Sequence, residues 1–305
     1  MPVSTDILQK SENGTINGRI IKGIGGFYYV DTGEKVITCR ARGKLRKIGI
    51  TPYVGDIAEI DINSDGTGYI LEIAERRNLM ERPPISNIDQ IVIVASKAPP
   101  ETDTYFIDRI AASAEMQSIP LAVAVNKCDE DNGKFFLDIY KNTNIEIFGM
   151  SAKTGEGISD FKKFLSGKLT ALTGNSGVGK STIINAISPE SKLETGEINK
   201  KIGRGRHTTR HVELFKIEKN TWIADTPGFS AFDFSSKYTV TKENLSELFP
   251  EFLPYSADCR FTGCLHSKEE GCGVLEAVKA GKIERSRHDS YVRMLNELES
   301  AKKYK

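Results

Sequence analysis

Apolar and polar positions alternate in short runs over roughly the first seventy residues. Residues 19–21, 27–30, 35–39, 57–62 and 68–73 combine β-branched and aromatic side chains at a period near two, which predicts strands. Gly25-Gly26, Thr32-Gly33 and Asp65-Gly66 lie between them and supply turn chemistry. Five or so short strands in so little chain predict a small closed barrel of the OB type. Residues 78–87, with Pro83-Pro84, read as a linker. Beyond them the pattern changes to strands alternating with helices. Residues 88–95 form an apolar run of the kind buried in a parallel sheet. Residues 105–117 place Ile107, Ile110, Ala111 and Ala114 on one helical face. Further strands are predicted at 121–125, 145–148, 168–173, 212–217 and 221–224, with helices at 157–167 and 182–187. That alternation predicts a doubly wound α/β domain ending near Phe232. The remainder is polar and closes in a charge-alternating helical stretch at 283–303. The expected architecture is multi-domain α/β: an OB-type β-barrel over 1–77, a doubly wound domain over 78–232, and a mainly helical domain over 233–305.

Composition narrows the setting. A chain of 305 residues has room for two or three cores. The formal net charge is +1, so nucleic-acid binding would have to come from local patches. Met1-Pro2-Val3-Ser4-Thr5-Asp6 has neither a basic nor an apolar leader region, and no apolar run approaches a membrane span. A cytoplasmic protein that does not enter membranes is expected. Five cysteines in that setting argue for reduced thiols or metal ligation, not disulfides.

The chemistry is concentrated in a few motifs. Gly174-Asn175-Ser176-Gly177-Val178-Gly179-Lys180-Ser181 lies between an apolar strand and a helical run that begins at Thr182. In that context the glycines let backbone N–H groups curl around phosphates. Lys180 neutralises the β- and γ-phosphates and Ser181 ligates magnesium. GTPases, ATPases and kinases share this loop. Asn126-Lys127-Cys128-Asp129 separates them, because a carboxylate at Asp129 can accept from guanine N1–H and the exocyclic amine. Adenine would leave it unpaired. Asn126 braces the site, and Lys127 lies along the nucleotide. The backbone of Ser151-Ala152-Lys153 is expected at guanine O6. Asp225-Thr226-Pro227-Gly228 follows a strand; Asp225 reaches magnesium through water and the Gly228 amide reports the γ-phosphate. The base-reading elements precede the phosphate loop, the reverse of an ordinary GTPase. A circularly permuted GTPase using Mg2+ with GTP or GDP is therefore predicted.

Phe229 stands where many GTPases carry a water-orienting Gln, and a phenyl ring cannot polarise water. His207, in Arg204-Gly205-Arg206-His207-Thr208-Thr209-Arg210, falls where the magnesium-sensing switch belongs. It reads either as a catalytic group or as an exposed loop histidine. Thr208 or Thr209 is the switch threonine. Cys259-x4-Cys264-x-His266-x5-Cys272 suits one closed, structural Zn2+ site, and Gly263, Gly271 and Gly273 let its loops wrap the ion. Cys39, Cys128, His211 and His288 read as ordinary free thiols and bland histidines. The segment from Arg40 to Lys47 contains no acidic residue. Arg40, Arg42, Lys44, Arg46 and Lys47 are candidate RNA contacts on a barrel loop, with a solvated loop as the alternative.

Taken in order along the chain, these motifs resemble the ribosome small-subunit-dependent GTPase A family (RsgA, also called YjeQ or YloQ), over essentially the whole length. The resemblance implies an OB domain, a permuted GTPase domain and a zinc domain. It implies late maturation of the small ribosomal subunit, contact with its rRNA, and weak GTP hydrolysis that the subunit stimulates. It also assigns water positioning to the residue matching His207. A monomer is expected. Gly177 occupies the position where potassium-dependent assembly GTPases carry Asn, so no potassium cofactor is expected. A GTP-regulated switch with a non-ribosomal partner is the alternative function. Because the γ-phosphate sensor runs almost directly into the zinc domain, a switch rearrangement could reorient that module.

Overall fold

The computed structural model describes residues 15–81, 83–188, 212–226 and 240–302. Strands β1 (Ile16–Ile24), β2 (Phe27–Asp31), β3 (Val36–Ala41), β4 (Ile57–Ile62) and β5 (Gly68–Ile73) close a barrel in the order β1-β2-β3-β5-β4. Every neighbouring pair is antiparallel except β3 and β5, which run parallel. Alternation sends Ile20, Val30, Ile37, Cys39, Ala58, Ile60 and Ile70 inward. The basic stretch is not a plain loop. Arg40 belongs to β3, and Gly43–Lys47 forms a short helix, α1. The reason is Leu45, whose apolar side chain packs into the barrel core with 2% of its surface exposed.

The expected linker is also more ordered than its prolines suggest. Strands β6 (Leu79–Glu81) and β7 (Pro84–Ser86) pair as an antiparallel ribbon. Pro84 starts its strand, where a missing N–H is tolerated. The ribbon is tied to the barrel through Asp56, which accepts from Ser86 Oγ at 2.6 Å, Arg76 Nε at 2.7 Å and Tyr53 N at 2.8 Å.

Six further strands form one sheet: β8 (Gln90–Ala95), β9 (Leu121–Val125), β10 (Glu146–Gly149), β11 (Leu169–Thr173), β12 (Leu214–Glu218) and β13 (Thr221–Asp225). Their order is β10-β9-β8-β11-β13-β12, with β12 antiparallel to β13 at one edge. Every residue of β8 and β11 is buried, as continuous apolar runs require. Helices α2 (Thr104–Met116), α3 (Lys134–Tyr140), α4 (Ile158–Leu165) and α5 (Lys180–Ile187) intervene. Asp103 caps α2 by accepting from Tyr105 N at 3.0 Å. Helix α3 was not anticipated, because seven residues are too few to establish a helical period.

The chain packs into two compact units, residues 1–91, 158–173 and 180–229, and residues 92–157, 174–179 and 230–305. In the first, the barrel meets the β12–β13 hairpin through Lys22–Glu213 at 2.9 Å and Lys216–Asp31 at 2.8 Å. In the second, the C-terminal segment folds onto α2. It comprises 3-10 turns at Leu245–Leu248 and Pro250–Phe252, a helical turn at Leu253–Ser256, and helices α6 (Gly273–Lys279) and α7 (Arg285–Lys302). Tyr105 and Ala112 of α2 share a core with Phe249, Phe252, Tyr291 and Met294. Beside that core lies a buried ionic cluster. Arg287 donates to Asp108 at 2.7 Å and to Glu251 at 2.8 Å, and Tyr140 Oη donates to Asp108 at 2.9 Å. Burial opposes the Arg287 charge, but the two carboxylates hold the guanidinium protonated. No described helix is long and apolar enough to cross a membrane.

Candidate nucleotide site and metal centre

Strand β9 ends at Asn126, whose backbone N–H reaches Ala95 O on β8 at 2.8 Å. The side chain is 4% exposed and makes two directed bonds. Its Nδ2 donates to Val178 O at 2.9 Å, in the phosphate loop. Its Oδ1 accepts from Ala152 N at 3.0 Å, in the Ser-Ala-Lys turn. One amide thus joins three motifs separated by up to 52 residues. The next residue, Lys127, takes φ +65, and its Nζ donates to Pro99 O at 2.5 Å. Cys128 turns its thiol back to Val125 O at 3.3 Å, and burial raises its pKa.

Asp129 is placed at the surface beside the turn. A hydrogen bond from Ser151 and the nearby Lys153 hold its carboxyl below the usual range, with Lys153 Nζ at 3.6 Å. Ser151 is fully buried and fixes its own turn by accepting from Thr154 N at 3.1 Å. The arrangement presents an ionised carboxylate beside Ser151 and Lys153, with the acceptor oxygens a reader of paired donors requires.

The phosphate loop leaves β11 and enters α5. Gly174 takes φ +145, and a Cβ there would lie 2.4 Å from Val94 O. Gly179 takes φ +98, and a Cβ there would lie 2.2 Å from Asn126 Nδ2. Both positions therefore require glycine for space as well as for dihedral angle. Val178 is fully buried beneath the loop, whereas Ser176 and Gly177 are exposed and Asn175 is half-buried. Lys180, Ser181 and Thr182 form the first turn of α5, the end of a helix that favours anions. Strand β13 pairs in parallel with β11, setting Asp225 against Leu172. Thr226 locks that end, its Oγ1 donating to Leu172 O at 3.1 Å. Ser181 offers a hydroxyl of the kind a magnesium ion takes, and the Asp225 side chain lies outside the described residues. His207, Thr208, Thr209 and Gly228 lie outside the described residues, as does His211.

In the C-terminal segment, the ligand atoms of Cys259, Cys264, His266 and Cys272 all lie within 4.8 Å of one another. Cys259 and Cys272 Sγ are 3.9 Å apart, and His266 Nδ1 is 3.6 and 3.4 Å from them. A tetrahedral zinc with ordinary bond lengths has edges of about 3.8 Å between sulfurs and about 3.5 Å between sulfur and nitrogen. The cluster fits. Burial pushes the Cys264 thiol up to about 12 and raises Cys272. A divalent cation would reverse that by selecting thiolates.

Support comes from residues that the sequence did not single out. His288 Nε2 lies 2.7 Å from His266 O, Tyr291 Oη donates to Leu265 O at 2.7 Å, and Ser256 Oγ lies 3.4 Å from His266 Nε2. His288 is a buried, hydrogen-bonded structural histidine, in keeping with its bland reading, and it holds the backbone at His266. Glu269 accepts from Leu265 N, Ser267 N and Lys268 N at 2.8–3.0 Å. Burial would raise this carboxyl, but those bonds bring it down to about 2.

On the barrel, Arg40 stacks over Phe27 at 4.4 Å, and Arg42 pairs with Asp61 at 3.1 Å. Lys44 lies 3.9 Å from Glu72, and Lys47 is exposed. The stretch lacks acidic residues in sequence, yet folding brings acidic partners from β4 and β5. Exposed pairs of this kind contribute about 0–1 kcal/mol, so a phosphate can displace them. Nothing is described for the Arg46 side chain.

Comparison with known proteins agrees with this arrangement. The family profile "RsgA N-terminal domain" matches residues 17–70, and "RsgA GTPase" matches residues 73–235. A relative from Caldanaerobacter subterraneus, named "Small ribosomal subunit biogenesis GTPase RsgA", is 43% identical over 291 residues, covering 94% of this chain and 97% of that protein. The crystal structure of YjeQ from Thermotoga maritima superposes with a TM-score of 0.77 at 34% identity, covering 92% of this chain and 98% of that one. That of YloQ, described as a circularly permuted GTPase, gives 0.76 at 34%, covering 96% and 98%. With both profiles matched and a relative 43% identical over 94% of its length, the chain belongs to the RsgA GTPase family.

Proposed function

We propose that this GTPase binds the small ribosomal subunit through its rRNA and hydrolyses GTP in a late step of that subunit's biogenesis. The observation that carries the reading is Asn126, whose one side chain joins the guanine loop, the Ser-Ala-Lys turn and the phosphate loop. The name of the relative, a small ribosomal subunit biogenesis GTPase, supports the biological setting. In this reading Asp129 accepts from the two guanine donors while Ala152 and Lys153 face O6. The amides from Gly174 to Gly179, together with Lys180, cradle the phosphates, and Lys127 lies along the nucleotide. Ser181, Asp225 and either Thr208 or Thr209 would hold Mg2+, which neutralises charge on the β- and γ-phosphates. The Gly228 amide would sense the γ-phosphate. His207 positions the attacking water, since Phe229 has no polar group to do so.

Cys259, Cys264, His266 and Cys272 would hold Zn2+ as a structural ion, because four protein ligands leave no open position. Arg40, Arg42, Lys44, Arg46 and Lys47 supply phosphate contacts to rRNA. The working units are an RNA-binding barrel over 1–77, the permuted GTPase over 78–232 and the metal-bearing domain over 233–305. The protein acts as a cytoplasmic monomer.

Salt-dependent co-sedimentation with purified small subunits tests the proposal. Binding should be strongest with a non-hydrolysable GTP analogue, and turnover should rise when subunits are added. Indifference to the subunit in every nucleotide state would move the function to a GTP switch with another partner. Equal affinity for ATP and GTP would remove the role given to Asp129.

A further inference from the structure

A row of side chains crosses the outer face of the barrel from strand to strand. Ile24 of β1 stands opposite Phe27 of β2, and Phe27 stands opposite Arg40 of β3. Arg40 in turn faces Tyr69 of β5, and Tyr69 faces Asp61 of β4. Directly opposed residues share a face of the sheet. Their chain neighbours Cys39 and Ile70 point into the barrel core, so the row points out. Ile24 is 42% exposed, Phe27 37% and Tyr69 40%. Phenylalanine is among the side chains most often buried, yet neither ring joins the barrel core.

Each ring also carries a guanidinium. Arg40 lies 4.4 Å from the Phe27 centroid, and Arg42 lies 5.9 Å from that of Tyr69. Planar groups thus follow one another along the surface as Phe27, Arg40, Tyr69 and Arg42. Charge alone does not explain them. Asp61 is engaged by Arg42 at 3.1 Å, Glu72 lies 3.9 Å from Lys44, and Asp65 in the β4–β5 turn accepts from Thr67 N and Oγ1. A surface so nearly balanced does not hold a polyanion by attraction alone. Arg40, at the centre of the row, has no carboxylate within ion-pairing distance among the described residues. Its charge is left for a phosphate.

We infer that this row is a stacking platform for unpaired nucleotides of RNA, with Phe27 and Tyr69 each taking the face of one base and Arg40 taking the phosphate between them. The inference rests on the reading of the barrel as an RNA-binding domain and goes beyond it, because it selects single strands over a duplex. An exposed ring stacks on any base whose face is open. In an A-form duplex the base faces are already stacked on one another, and a protein meets only grooves and backbone. Neighbouring strands lie about 4.8 Å apart, so Phe27 and Tyr69, with β3 between them, are separated by about 10 Å. Each ring therefore takes a base of its own.

The test titrates the full-length protein, in excess GDP, with fluorescein-labelled oligouridylate and with a labelled blunt RNA duplex, reading anisotropy over a range of salt concentrations. The oligouridylate should bind more tightly than the duplex. Phe27→Ala and Tyr69→Ala should each weaken its binding by roughly 5- to 100-fold, the usual loss of one base stack. The salt slope should stay unchanged, because no phosphate contact is removed. Phe27→Tyr and Tyr69→Phe keep the rings and should keep the affinity, which separates loss of stacking from loss of fold. Equal affinity for duplex and single strand, alanine variants within about twofold of wild type, or a salt slope that falls with the rings would overturn the inference. So would small-subunit binding that weakens in the alanine variants while oligouridylate binding does not, since the rings would then serve a protein partner. In each of these cases wild-type binding to RNA or subunits leaves the RNA-binding reading standing and removes the platform alone. A wild-type protein that binds neither would remove both.

Discussion

Replacing Asn126 by Ala removes a side chain that fastens the Asn-Lys-x-Asp loop to the phosphate loop. Two partners are then stranded. Val178 O, bonded at 2.9 Å, belongs to a fully buried residue. Ala152 N, bonded at 3.0 Å, is half-buried and can recover part of its loss from solvent. A buried backbone group left unpaired costs about 1–3 kcal/mol, so the pair amounts to about 2–4 kcal/mol. If the loops must hold this geometry to bind nucleotide, the Kd for GDP should rise by roughly 30- to 1,000-fold. Fluorescent GDP titration measures it, well below the unfolding temperature of the variant. A second substitution identifies the cause. Ala at Gly179 places a Cβ 2.2 Å from Asn126 Nδ2 and must push the amide away, so Gly179→Ala should weaken GDP binding through the same contact. The double variant should then lose less than the sum of the two. GDP affinity within threefold of wild type in Asn126→Ala would refute the reasoning, as would full additivity with Gly179→Ala.

Arg287→Met should destabilise the protein by about 3–5 kcal/mol in urea unfolding, because it strands the buried Asp108 and Glu251 carboxylates; a loss below about 1 kcal/mol would mean that the cluster is not energetically coupled. Cys264→Ser should lower bound zinc, measured by elemental analysis, and loosen the C-terminal segment while GDP affinity stays near normal; full metal occupancy would show the ligand set to be wrong. His207→Ala should keep GTP affinity but lose roughly 10²–10⁴ of the subunit-stimulated turnover, and wild-type turnover on the subunit would place the catalytic group elsewhere. Alanine at Arg42, Lys44 and Lys47 should flatten the salt dependence of subunit binding by about one unit of slope per lost phosphate contact; an unchanged slope returns the stretch to a solvated surface.

The motifs were legible in the sequence because their chemistry is carried by contiguous residues. A glycine pattern that curls amides, a carboxylate at a strand end, and three cysteines with a histidine within fourteen residues each keep their meaning wherever the chain goes. Barrel, sheet and motif order followed from local periodicity. The misreadings have physical causes. Leu45 turned an apparent basic loop into a helix because one apolar side chain had a core to enter. The prolines at 83–84 hid a ribbon that Asp56 anchors from another part of the chain.

Long-range pairing was decided by the tertiary structure alone. Asn126 meets a carbonyl 52 residues away, and Arg287 meets a carboxylate 179 residues away. Neither distance leaves a trace in a sequence window, since partners at such separations are chosen by packing and by the need to satisfy buried groups. The same holds for the C-terminal module. Its buried ion pair and shared core fasten it to α2. Connectivity is written in the sequence; attachment depends on which surfaces exclude water together, and only the folded chain determines that.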